Sequence, residues 1–292
     1  MQSFHPFIMV RNRQLIFMNT QTGKVILAAA GPGDPELITV KAARWLEQAD
    51  VVLADRLVSE AILHSYVGSR AEIIRVGKQS GQSASTPQSS INELMIEHAR
   101  AGRLVVRLKG GDASVFSNIF DELSALVNNR IPYEIVPGVT AALGAAAYAG
   151  IPLTARDYSI GIRLLTFYQS DTIQDQYWKE LAQTGDTLVF YMSGEMLDQA
   201  VALLLENKIS EDKGIAVIEQ ATTPLQQVTT CSFAEYNRKL KGKSFLSPTL
   251  VIIGKVANLH ERFRWMENSN SREFYFKPIH ESVVSVEPLI AG

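Results

Sequence analysis

Four short segments of this sequence supply residues able to do chemistry or glycines that let a ligand approach the backbone. Gly31-Pro-Gly-Asp-Pro35 and Lys109-Gly-Gly-Asp112 are the two glycine loops. Glycine reaches backbone angles closed to other residues and leaves room beside the chain, and the prolines stiffen the first turn. Asp55-Arg-Leu-Val58 and Val76-Gly-Lys78 contribute a carboxylate and an ammonium group. Asp55 and Lys78 can therefore act as acid–base partners or bind a polar substrate. Each segment also has a plain structural reading. The first loop can be an ordinary turn, Asp112 a helix cap, and Asp55 and Lys78 a surface ion pair. Pro137-Gly-Val-Thr-Ala141 marks a junction, Pro152-Leu-Thr-Ala-Arg156 puts a cation on a loop, and Phe190-Tyr-Met192 ends a strand in a residue that is core by default.

Missing patterns narrow the chemistry. Neither loop is a G-x-G-x-x-G fingerprint or a P-loop, so neither a dinucleotide nor a nucleoside triphosphate is indicated. The five histidines form no H-E-x-x-H pair, and Cys231 is the single cysteine. No metal site is expected, nor any disulfide. A G-x-S-x-G nucleophile elbow is also missing.

The elements that must position these loops follow from hydrophobic patterning. Strands are predicted over 24–30, 50–54, 71–76, 103–108 and 133–136, with helices over 39–48, 87–101 and 120–128. Both glycine loops and Asp55 then fall directly after strands. In an open α/β sheet, ligands collect at the carboxyl ends of strands, so the two loops predict one shared crevice. After Pro137-Gly138 comes an alanine-rich helix over 140–149. Strands near 163–167, 187–192, 214–219 and 250–253, with helices near 174–183 and 195–207, make a second α/β unit. The expected organisation is an arm over 1–22, partly disordered, domains over 23–138 and 139–258, and a tail over 259–292 whose end is mobile.

The chain has 292 residues, 46% hydrophobic and 20% charged, with a formal net charge of −2. That suits two ordinary globular domains and offers no global basic field for nucleic acid. No apolar run is long enough for a membrane span, and the start lacks a signal-peptide layout. A cytoplasmic protein without nucleic-acid or membrane partners is expected.

Taken in order, these pieces resemble a known family. Ala30-Gly-Pro-Gly-Asp-Pro35, Asp55-Arg-Leu-Val-Ser59, Val76-Gly-Lys78, Val106-Arg-Leu-Lys-Gly-Gly-Asp112, Val136-Pro-Gly-Val-Thr-Ala141, Ala149-Gly-Ile-Pro-Leu-Thr154, Phe190-Tyr-Met192, Ile218-Glu-Gln-Ala-Thr-Thr-Pro224 and Ser247-Pro-Thr-Leu250 follow the pattern of the tetrapyrrole methylases. Within them the nearest likeness is to the uroporphyrinogen-III C-methyltransferases, including the methylase half of sirohaem synthase. The resemblance runs from about residue 24 to 265. It implies two α/β domains with mixed, mainly parallel sheets, a cleft between them for S-adenosyl-L-methionine (released as S-adenosyl-L-homocysteine), and a homodimer. Its residue correspondences place Pro32, Gly110, Gly111, Asp112, Val115, Thr140, Ala141, Met192 and Ala221 on the cofactor, and Asp55 and Lys78 as proton acceptor and donor. The implied substrate is uroporphyrinogen III, an octacarboxylate methylated twice to precorrin-2 on the route to sirohaem and cobalamin. Arg56, Lys78, Arg107, Arg156 and Arg163 are the cations available for its carboxylates.

The sequence departs from that pattern on the substrate side. Where Gly-Gly-Asp-Pro-Phe-x-Phe-Gly-Arg-Gly-Gly-Glu-Glu is usual, Gly110-Gly-Asp-Ala-Ser-Val-Phe-Ser-Asn-Ile-Phe-Asp-Glu122 stands here, so Asn118 takes the arginine's place. Ala155 replaces a histidine, Thr166-Phe-Tyr168 replaces Thr-Gly-His, and Ala28-Ala-Ala30 replaces Val-Gly-Ala. Two alternatives follow: a methylase of a later corrinoid precursor, or a weakened member acting as a binding or regulatory protein.

Overall fold

The computed structural model describes residues 10–11, 14–15, 22–77, 86–166, 175–191, 194 and 196–276. The first described element is a two-residue ladder, β1 (Val10–Arg11) against β2 (Gln14–Leu15). Two five-stranded sheets follow. The first contains β3 (Lys24–Ala29), β4 (Val51–Ala54), β5 (Glu72–Arg75), β6 (Leu104–Lys109) and β7 (Tyr133–Val136), in the order β5-β4-β6-β3-β7. Every pairing in it is parallel. Its central strands are near-continuous apolar runs because both faces are covered. On one face Ile26, Ala28, Val52 and Ala54 meet Leu46 of α1 (Val40–Gln48) and Ile62 of α2 (Glu60–Tyr66). On the other, Val25, Leu27, Val51 and Leu53 meet Ile91 and Met95 of α3 (Gln88–Arg100) and Leu126 of α4 (Ile119–Asn128).

The second sheet contains β8 (Ile162–Thr166), β9 (Thr187–Tyr191), β10 (Gly214–Glu219), β11 (Gln227–Ser232) and β12 (Thr249–Gly254), in the order β11-β10-β12-β9-β8. It is mixed: β8 runs parallel to β9, and the other three pairings are antiparallel. One face buries Leu188, Phe190, Val217 and Val251 under α6 (Asp175–Gln183) and α7 (Leu197–Glu206). The other buries Val189, Ala216, Ile218 and Ile252 under Ala142, Ala145 and Ala146 of α5 (Ala141–Tyr148). Small side chains let α5 lie close to its neighbours. The chain continues through α8 (Tyr236–Lys239) and, after β12, α9 (His260–Phe263).

Besides the elements of four residues or fewer, two escape hydrophobic patterning. The helix α2 is set by its cap, Ser59 Oγ accepting from the Ile62 N–H at 3.3 Å. The strand β11 carries the polar sequence Gln-Val-Thr-Thr-Cys-Ser and is fixed by its full register with β10. The tail is better anchored than its lack of periodicity suggests. Trp265 Nε1 donates to Ala147 O at 2.9 Å, Asn268 bonds both backbone groups of Val228, and Phe276 is buried.

Candidate active site

Because the first sheet is parallel, β3, β4 and β6 end on one edge, and the loops after them are neighbours. The two glycine loops bond to each other: Gly31 N–H donates to Gly111 O at 3.0 Å and Gly111 N–H to Gly31 O at 2.7 Å. Gly111 has φ +68°, an angle that favours glycine. Apart from its chain neighbours, a Cβ there would meet only Ala141 N, at 3.7 Å. Beside Gly111, at the start of α5, there is thus open room where a ligand can lie against backbone. Two neighbouring glycines are tight. A Cβ on Gly110 would come within 2.7 Å of Leu57 Cβ, and one on Gly144 within 2.5 Å of Pro32 Cγ. Asp112 locks the second loop, accepting from Ser114 N–H at 2.8 Å, Ser114 Oγ–H at 2.6 Å and Gly138 N–H at 2.9 Å. Burial pushes the Asp112 carboxyl up, but bonds from Ser114, Gly138 and Val115 outweigh it and hold the group below its ordinary range.

Beneath the loops lies a buried charge cluster. Glu122 of α4 is 0% exposed and accepts from Arg107 Nε at 3.0 Å and Lys109 Nζ at 2.7 Å. Arg107 also donates to Leu53 O and Leu108 O, each at 3.2 Å, and its Nη2 lies 3.9 Å from Asp55 Oδ1. Burial first, then the neighbouring Arg107, depress the Lys109 pKa in spite of Glu122. Arg56 stands half-buried beside Asp55, with its Nε buried and, among the described residues, without a hydrogen-bond partner. Desolvation lowers its guanidinium pKa and Asp55 opposes that shift.

The second sheet supplies the facing wall. Thr140, the N-cap of α5, makes no capping bond of its own. Tyr191 replaces it: its hydroxyl accepts from Ala142 N–H at 2.9 Å and shares a 2.7 Å bond with Thr140 Oγ1. Phe116, from the loop after β6, lies against the Tyr191 ring at 4.9 Å. The turn after β10 closes the other side. Thr222 Oγ1 accepts from Asp34 N–H at 3.2 Å, and a Cβ on Gly33 would lie 3.3 Å from Ala221 O.

These contacts draw Pro32, Gly110, Gly111, Asp112, Val115, Thr140, Ala141 and Ala221 around one junction between the sheets, with Asp55 and Arg56 at its lower edge. Lys78 and Met192 lie outside the described residues. Arg107 differs from expectation: it is only 3% exposed and committed to Glu122 and two carbonyls, so it is no free cation for a substrate. Arg163 is likewise engaged, by Asp186 at 2.8 Å and Thr184 at 3.3 Å. Arg156 is exposed on its loop. Asn118 has φ +57°, and its amide turns to Asp121 at 2.9 Å and Gln88 at 3.3 Å. Sequence reasoning passed over Glu122, Lys109, Tyr191 and Gln220. A glutamate thirteen residues beyond a lysine, across a loop, carries no local signal. Among the described residues no group of histidine, cysteine and carboxylate side chains could hold a metal, and no helix is long and apolar enough to cross a membrane.

A family model for tetrapyrrole (corrin/porphyrin) methylases matches residues 24–237, well over half the chain. The chain belongs to this family. The methylase is 43% identical over 245 residues to a sirohaem synthase of Saccharophagus degradans, covering 84% of this chain and 53% of that protein. It is 43% identical over 251 residues to a sirohaem synthase of Pseudomonas fluorescens, covering 86% and 54%. The chain therefore spans about half the length of the curated relatives it matches. Among solved structures, uroporphyrin-III C-methyltransferase from Thermus thermophilus superposes with TM-score 0.69 at 34% identity, covering 85% of this methylase and 99% of that chain. A structure of the Thermus enzyme complexed with S-adenyl homocysteine gives 0.68 at 34%, covering 81% and 100%. A cobalt precorrin-4 methyltransferase gives 0.70 at 27%, covering 80% and 95%.

Proposed function

We propose that this methylase transfers two methyl groups in turn from S-adenosyl-L-methionine to carbons of uroporphyrinogen III, giving precorrin-2. One observation carries the reading. The open face of Gly111 beside α5 occurs in a chain that covers the full length of a Thermus uroporphyrin-III C-methyltransferase structure complexed with S-adenyl homocysteine. When bound, the cofactor supplies an electrophilic sulfonium methyl group. Pro32, Gly110, Gly111, Asp112, Val115, Thr140, Ala141, Met192 and Ala221 would hold it. Asp112 serves by fixing the loop, since its oxygens are already engaged by Ser114 and Gly138.

Much of the rate is expected from holding an electron-rich pyrrole carbon at near-attack distance. Asp55 would accept the proton lost afterwards, with Lys78 as donor. Arg56 is the half-buried cation best suited to a substrate carboxylate, because its desolvated Nε has no partner among the described residues. Residues 23–138 and 139–258 form the two domains, and the protein acts as a cytoplasmic homodimer. A second reading, a methylase of a later corrinoid precursor, draws on the altered Ser117–Asp121 stretch and the likeness to the cobalt precorrin-4 methyltransferase.

The test is an anaerobic assay of the purified chain with uroporphyrinogen III and S-adenosylmethionine, read by mass. A gain of two methyl groups supports the first reading. No gain, with S-adenosylhomocysteine still bound, moves the case to the corrinoid reading or to a binding role. Under the first reading Asn118→Arg is expected to lower the KM for uroporphyrinogen III, and an unchanged KM would clear that position of any substrate role.

A further inference from the structure

We propose that Gln220 is a positioning residue for the cofactor wall, through which segment 268–276 holds the Ala221 turn against the Gly31–Asp34 loop. The inference rests on the cofactor reading above, which gives the Ala221 turn its role.

After β10 the backbone takes two left-handed steps, Gln220 at φ +48° and Thr222 at φ +64°. Neither is glycine, and Thr222 is β-branched, so both angles are unfavourable. Such a turn persists only where its surroundings over-determine it. Gln220 N–H donates to Pro248 O, just before β12, at 2.8 Å, and within the turn Thr223 Oγ1 donates to Gln220 O at 2.7 Å and Thr222 N–H to Gln226 Oε1 at 2.9 Å. From outside, the Gln220 amide is 1% exposed and binds the tail backbone at both ends. Its Nε2 donates to Glu273 O at 2.9 Å and its Oε1 accepts Tyr275 N–H at 2.7 Å.

The tail is itself anchored. Asn268 and Val228 exchange bonds of 2.7 and 2.9 Å, Gln227 Nε2 donates to Ser269 O and Ser271 O, and Phe276 is buried. On its far side the turn meets the first glycine loop. Asp34 N–H donates to Thr222 Oγ1, and a Cβ on Gly33 would fall 2.8 Å from Thr223 Cγ2. A continuous series of contacts thus leads from the tail through Gln220 and Thr222 to the Gly31 loop, and from there to Gly111.

The test compares four versions of this chain: the wild type, Gln220→Ala, Tyr275→Pro and Tyr275→Ala. Tyr275→Pro deletes the N–H that Gln220 accepts, whereas Tyr275→Ala keeps it. Binding of S-adenosylhomocysteine is measured by calorimetry, alongside thermal midpoints and kinetics with uroporphyrinogen III. Gln220→Ala and Tyr275→Pro are expected to weaken binding about tenfold, or ~1.4 kcal/mol, while Tyr275→Ala stays near wild type. The apparent KM for S-adenosylmethionine should rise in parallel, with kcat and the tetrapyrrole KM held, as for loss of uniform binding. Wild-type affinity in both Gln220→Ala and Tyr275→Pro overturns the proposal. So does a general loss of kcat and both KM values that follows the fall in melting temperature. If Gln220→Ala does not fold, the Tyr275 pair decides. A wild-type chain without affinity for S-adenosylhomocysteine instead refutes the cofactor reading itself.

Discussion

Glu122→Gln is nearly isosteric, so it isolates the charge at the centre of the buried cluster. In the native chain the Glu122 carboxylate meets Arg107 Nε at 3.0 Å and Lys109 Nζ at 2.7 Å, and all three side chains are almost fully buried. Glutamine keeps one acceptor and turns a donor toward one of the cations. Arg107 retains two carbonyl acceptors and Asp55 at 3.9 Å, so most of the loss falls on Lys109. Removing one partner of a buried ion pair costs about 3–5 kcal/mol, against about 5–15 kcal/mol for the stability of a typical protein. The loss also has a pH signature. The Lys109 pKa already lies below its ordinary 10.5, and without Glu122 it falls further. A lysine with a depressed folded pKa is destabilising while protonated, and the penalty fades as pH rises through that pKa toward the unfolded value. The deficit of Glu122→Gln should therefore be largest near neutrality and narrow toward pH 10.5. Urea unfolding across this range measures it directly, provided the m-value holds. A loss below about 1 kcal/mol, the value of an exposed pair, would refute the reasoning. A deficit that widens with pH would do the same. Adding Lys109→Met should recover part of the loss, giving a coupling above about 0.5 kcal/mol in the double-mutant cycle.

Other perturbations test the junction and the edge of the first sheet. Gly144→Ala puts a Cβ 2.5 Å from the Pro32 ring; it should cost about 1–3 kcal/mol and weaken S-adenosylhomocysteine binding in calorimetry. Tyr191→Phe strands the Ala142 N–H it caps, and a loss of about 1 kcal/mol is expected in thermal unfolding. Glu134 has its pKa lowered to about 2 by Lys24 first, then Lys41, with a weaker bond from Trp45. Its stabilisation is complete above the ordinary carboxyl pKa of 4.5 and is lost as pH falls toward about 2. Acid unfolding of Glu134→Gln should accordingly differ from wild type above that window and converge with it below.

Much of the site is local in sequence, which is why it was legible. Glycine loops directly after strands announce their position, and parallel strands bring their carboxyl ends to one edge. Thus the Gly31 and Gly111 loops could be read as neighbours from strand order and turn chemistry, and they bond to each other. Arg107 was misplaced for a corresponding reason. Strand periodicity tells which face a side chain takes, but not whether a carboxylate awaits it there. Glu122 decides that matter, and it comes from a helix on the far side of a loop. The strand β11, with three hydroxyl side chains, has no apolar alternation to reveal it, and only its register with β10 makes it a strand.

By itself, then, the sequence determined which loops are rich in glycine, which strands precede them, and that an α/β arrangement must carry them, because those depend on backbone freedom and hydrophobic period along the chain. The tertiary structure alone decided which charges are free and which are spent. Pairing Arg107 and Lys109 with Glu122, capping α5 with Tyr191, and bracing the Ala221 turn through Gln220 all join residues far apart in the chain. Their energies come from burial and hydrogen-bond geometry, which exist only once the two sheets have come together.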